Sequence, residues 1–137
     1  MRPSSDEEKA VDVDGDVVGG PISRDRIEGF IQISMNRQDA LTNQYRADAE
    51  NAAKAEAEFK SAFAQARLRA RAGGNYAGAK VTGDIADDLA TEETAELRME
   101  MLTTAAREAA TRQALLSIRM KLDSLRSLMA NYREIGA

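Results

Sequence analysis

Residues 113–135 read QALLSIRMKLDSLRSLMANYREI, and their spacing decides the fold. Leu115, Ile118, Leu122, Leu125, Met129 and Tyr132 recur three and four residues apart, with Arg119, Lys121, Asp123 and Arg126 between them. That is the a/d seam of a coiled coil, because 3.6 residues per turn bring such positions onto one side of a helix. A seam of this kind needs a partner helix, so the search for one organises the rest of the chain.

The composition agrees with helices and argues against a sheet. Aromatic residues are 4% of the 137, charged residues 31%, and there is no Trp, while Ala, Glu, Arg and Leu dominate around only two prolines. With no Cys, disulfide and thiolate chemistry are unavailable, and with no His the usual neutral-pH base and the commonest transition-metal ligand are missing. No catalytic residue, metal ligand or cofactor motif stands out. No long apolar run suggests a membrane span, and the acidic start is unlike a secretory signal, so a cytoplasmic protein is expected.

Residues 1–21 carry six acids against Arg2 and Lys9, a balance of 2 minus 6, or −4. Gly15, Gly19, Gly20 and Pro21 interrupt their few valines, so a disordered acidic tail is expected, either a solubilising leader or a segment that meets a basic partner.

A partner helix is found at about residues 23–72. Ser23 is its candidate N-cap and Asp25 stands in the first turn. The track Ile27, Ile31, Ser34, Gln38, Leu41, Tyr45, Asp48, Ala52, Ala55, Phe59, Ala62 and Ala66 alternates spacings of four and three, although Ser34, Gln38 and Asp48 make it impure. Gly29 and the alternation from Phe30 to Ser34 leave room for a break or short strand near its start. Gly73 and Gly74 stop the helix, and a flexible turn continues to about residue 84. Asp84 or Thr91 can cap a second helix, expected at about residues 85–135 and ending before Gly136.

The expected fold is therefore all-α, two long helices in an antiparallel, coiled-coil-like hairpin over residues 22–137. Folding about Gly78 sets Phe59 near Leu97, Leu41 near Leu115, Ile31 near Leu125 and Ile27 near Met129, with alanines facing alanines between. Leu116, Leu128 and Ile135 form a second apolar edge. That edge, with the seam, predicts a homo-oligomer or a helical partner.

Charge is distributed in blocks. Residues 54–80 carry Lys54, Lys60, Arg67, Arg69, Arg71 and Lys80 against two acids, or +4, whereas residues 84–100 carry seven acids and Arg98, or −6. Two readings stand side by side. The blocks neutralise each other across the hairpin while suiting the helix dipoles, or Lys60, Arg67, Arg69, Arg71 and Lys80 bind phosphates. A further set on the second helix, including Arg107, Arg112, Arg119, Lys121, Arg126 and Arg133, is a candidate track for a nucleic-acid backbone, with Tyr76 or Tyr132 as a stacking face. For Tyr132 the competing place is the core. The glycines before Lys80 lack a preceding strand and the Gly-Lys-Ser/Thr ending of a P-loop, and the acids from Asp84 to Glu96 lack EF-hand spacing.

The segments 59–68, FKSAFAQARL, and 114–128, ALLSIRMKLDSLRSL, joined by a Gly-containing connector, resemble small helical proteins of tailed phages and, more distantly, the UvsY-like recombination mediators. The resemblance implies an oligomer that binds single-stranded DNA without sequence preference and helps load a recombinase, in the host cytoplasm if phage-encoded. It carries Arg67, Arg69 and Arg71 over as DNA-binding candidates. Where the mediators tend to have an aromatic pair before the turn glycine, this chain has Arg71 and Ala72. The alternative from a different class is a non-enzymatic protein-interaction module, such as an adaptor, a virion or scaffold component, or an inhibitor of a host protein, using Leu115, Leu116, Ile118, Leu122, Leu125, Leu128, Met129 and Tyr132.

Overall fold

The computed structural model describes residues 23–136, so the acidic segment 1–21 lies outside the described residues. The fold is all-α. Helix α1 (Arg24–Ala72) is followed by a two-stranded ribbon, β1 (Asn75–Tyr76) and β2 (Ala79–Lys80), and then by α2 (Gly83–Glu93) and α3 (Ala95–Gly136). Two compact units are formed, one from the residues up to Tyr45 and from Thr111 onward, the other from Arg46–Ala110.

In the first unit α1 begins where its cap dictates. The Ser23 hydroxyl accepts a hydrogen bond from the Arg26 amide at 3.3 Å, which satisfies one of the donors that a helix start leaves without a partner. No break follows at Phe30–Ser34, where alternation in the sequence leaves room for a strand, because the tertiary interior wants helical spacing. Ile27 is 0% exposed and Phe30 2%. Phe30 meets Leu125, with Ile31 packed against the pair, and the Arg26 guanidinium lies 5.9 Å from the Phe30 ring centroid. Farther along α1, Arg37 and Leu41 share a shallow depression with Ala114, Ser117, Ile118 and Lys121 of α3. Residue numbers rise on α1 as they fall on α3, so the two segments run antiparallel. Leu115, Ile118, Leu122, Leu125 and Met129 are all buried there, whereas Tyr132, a candidate for the same core, is 38% exposed.

One position in this interior is polar without compensation. Ser34 is fully buried and its Oγ has no hydrogen-bond partner. An unmade hydrogen bond of this kind costs about 1–3 kcal/mol.

The second unit has a smaller-residue interior. Ala52, Ala55 and Ala66 of α1 and Ala86 and Ala90 of α2 are buried, and short side chains let helices approach closely. Half-buried Phe59 and Phe63 add the bulk, their rings 5.9 Å apart and tilted by 40°. The connection is more ordered than a flexible turn. Asn75 pairs with Lys80 and Tyr76 with Ala79, and the two-residue loop Ala77-Gly78 has φ of 53° and 81°. Positive φ at both positions matches the twist of a tight hairpin, and only Gly78 adopts it without a side-chain penalty.

Thr82 caps α2, its hydroxyl accepting from the Ile85 amide at 3.4 Å, in place of the Asp84 or Thr91 caps that the sequence offers. Thr91 lies inside the helix, where its hydroxyl donates to the Asp87 carbonyl at 2.8 Å. The second helix is also divided at Thr94. There the hydroxyl and the backbone N–H both donate to the Ala90 carbonyl, at 2.7 and 3.0 Å, and φ shifts to −103°. A side chain that joins the backbone ladder loosens it locally. The Arg98 amide still donates to the Thr94 carbonyl at 3.0 Å, so the division is slight.

These interiors predict opposite effects at two neighbouring kinds of site. Leu122→Ala should lower stability by about 2–5 kcal/mol through transfer loss and a cavity, whereas Ser34→Ala should leave it unchanged or raise it by about 1 kcal/mol. Urea unfolding midpoints followed by circular dichroism test both.

Candidate functional site

The basic residues that end α1 lie in the second unit beside the acids of α2. Arg67 Nε is 2.8 Å from Asp87 Oδ1 and Arg69 Nη2 is 2.8 Å from Glu93 Oε1. The second pair is also a hydrogen bond. In the first, Asp87 Oδ1 is buried yet accepts no hydrogen bond, so the contact is charge pairing without donor alignment. Lys60 Nζ lies 2.9 Å from Glu56 Oε1, one turn away on α1. Three of the phosphate-binding candidates near the turn are thus engaged with carboxylates.

Arg71 and Lys80 remain exposed, and neither holds an ion pair among the described residues. Tyr76, on β1 and paired with Ala79, is 54% exposed. Asp84, Asp88 and Glu92 are exposed on α2 and work against accumulation of a polyanion there. A second depression in this unit is lined by Lys54, Glu58, Glu100 and Arg107 together with Asn51, Ala55 and Thr104, and its mixed charge favours neither an anion nor a cation.

In the first unit, α3 carries the other basic set. Arg119 is exposed, Lys121 is half-buried at the depression with Arg37, and Arg126 Nη1 is 4.0 Å from Asp123 Oδ1 in a loose, solvent-exposed contact. Arg112 lies on the same helix and also has a partner.

The apolar candidates divide into two groups. Leu115, Ile118, Leu122, Leu125 and Met129 lie in the interior of the first unit, where they are out of reach of a second molecule. Leu116 is 45% exposed, Leu128 is half-buried, and the side chain of Ile135 lies outside the described residues. Met120, which sequence reasoning passed over, is 69% exposed. In the second unit Met99 and Leu102 are 64% and 52% exposed. All four belong to a second three-four track of α3, readable in the sequence as residues 99, 102, 106, 109, 113, 116 and 120.

Among the described residues no group of three or more His, Cys, Asp or Glu side chains is placed to hold a metal ion, and no helix is long and apolar enough to cross a membrane.

The Arg69–Glu93 pair is half exposed, which limits its strength. A double-mutant cycle of Arg69→Ala and Glu93→Ala should return a coupling of about 0.2–1 kcal/mol that diminishes in molar salt. Compared with known proteins, the chain matches no protein-family model, no curated protein and no solved structure.

Proposed function

We propose that the chain is a non-enzymatic, helical protein-interaction module whose binding side chains lie on α3. The observation that carries this reading is the exposure of Leu116 and Met120 on a helix whose opposite side is already filled by Leu115, Ile118 and Leu122. A helix with apolar side chains on both sides has a use for two neighbours, and the chain supplies one. The pairing of Arg67 with Asp87 and of Arg69 with Glu93 supports the same reading, since charge suited to phosphate is neutralised within the chain.

A second reading is non-specific single-stranded DNA binding, as in a phage accessory protein of recombination. It is favoured by the exposed Arg119 and the loosely held Arg126 on α3. In that case affinity would come from phosphate contacts and would fall steeply with salt.

Fluorescence anisotropy of a labelled single-stranded oligonucleotide separates the two. The interaction-module reading expects no binding tighter than about 10⁻⁴ M even at low salt, at the weak end of non-specific affinities. Micromolar, salt-sensitive binding that Arg119→Glu with Arg126→Glu abolishes would overturn it in favour of the DNA reading.

A further inference from the structure

We propose that the outward face of α3 in the first unit docks an amphipathic helix of another protein whose apolar stripe is bordered by glutamate or aspartate. This rests on the interaction-module reading and specifies the chemistry of the partner. Leu116 and Met120 are four residues apart, one turn of helix, and both are exposed. Gln113, Ser117, Ser124 and Ser127 around them are exposed and uncharged, while Asp123, next on the same three-four track, is 81% exposed and 4.0 Å from Arg126, so the uncharged part of the stripe is residues 113–120 and its one carboxylate stays in water at the end.

The border of the stripe identifies the partner. Arg112, Arg119 and Arg126 follow one another at intervals of seven residues, the heptad repeat itself, immediately before Gln113, Met120 and Ser127 respectively. All three are exposed. Seven-residue spacing keeps them on one side of the stripe, where flanking positions of a paired helix bring side chains of the two partners together. The contact of Arg126 with Asp123 is long at 4.0 Å and Asp123 is 81% exposed, so a carboxylate on a partner can replace it. A helix with acids at its own flanking positions therefore matches both the apolar stripe and its arginine edge.

A second copy of this chain fits the same face poorly. In parallel pairing the arginines meet Ser117 and Ser124 of the other copy, which offer no charge. In antiparallel pairing the arginine row meets the arginine row, and like charges repel. Nucleic acid complements the arginines but leaves Leu116 and Met120 without an apolar counterpart on a phosphate backbone. Charge complementarity together with the stripe favours the acidic-edged helix over both.

The test uses the full chain and two synthetic helical peptides of about four heptads. One has Leu at a and d and Glu at the flanking positions, and the other has Lys at the flanking positions. Fluorescence titration should show the Glu peptide binding at least tenfold more tightly than the Lys peptide. Leu116→Glu with Met120→Glu should reduce Glu-peptide binding more than tenfold without altering the helical circular dichroism signal. Arg119→Glu with Arg126→Glu should reverse the order, so that the Lys peptide binds better. Equal binding of the two peptides, or no reversal, overturns the inference. So does absence of peptide binding, and light scattering then reports on the underlying reading. A multiple of the 14.9 kDa chain mass that Leu116→Glu with Met120→Glu returns to monomer leaves the interaction module standing with a second copy as occupant. A monomer that binds a labelled oligonucleotide overturns both.

Discussion

Alternation of three and four residues between buried side chains is the constraint on which this structure depends. In the first unit it brings Leu115, Ile118, Leu122, Leu125 and Met129 of α3 into one interior with Ile27 and Phe30 of α1. A helix of this length gains most of its stability from burying such a face rather than from propensity. Local signals yield to it. The alternating Phe30–Ser34 stretch becomes helix, and Ser34 is buried without a partner because the repeat places it inside.

The second unit solves the same problem with less apolar area. Its interior rests on alanines, two phenylalanines and threonines whose hydroxyls find backbone carbonyls. Thr104 donates to the carbonyls of Glu100 and Met101, and Thr94 to that of Ala90. Satisfied hydroxyls are tolerated in an interior where a lone serine is a cost. Opposite charge near the turn adds a modest contribution through Arg67–Asp87 and Arg69–Glu93, and it also fixes which acids lie beside which bases. The two charge blocks are thus part of the fold before they are available for any ligand.

Once the seam is filled, α3 has only its other side to offer. The exposed side chains there are uncharged around Leu116 and Met120, with Asp123 one turn further on, and basic along one edge, a pattern better suited to selecting a partner than to strengthening the fold, since edge charges govern orientation and rejection of wrong partners more than affinity. The arginines and the methionine-leucine pair act together in this view. Neither alone distinguishes a helix from a polyanion.

Much of this was legible in the residues themselves. The all-α class, the Ser23 cap and the inward-facing repeat follow from local chemistry, because helical period and capping depend only on neighbours along the chain. The sequence also contained the Met99–Met120 track, hidden by the stronger one beside it. Other features needed the third dimension. Ala77 takes a left-handed φ because the strands on either side pair, Thr82 rather than Asp84 caps α2, and Thr94 divides the second helix through a hydroxyl that competes for one carbonyl. Whether a given arginine meets a carboxylate or water, and whether Tyr132 is inside or outside, depends on what lies across from it. Sequence alone determined the periodic faces of this protein. Only the tertiary structure decided which of those faces is filled from within, because burial and ion pairing are properties of residues brought together from distant parts of the chain.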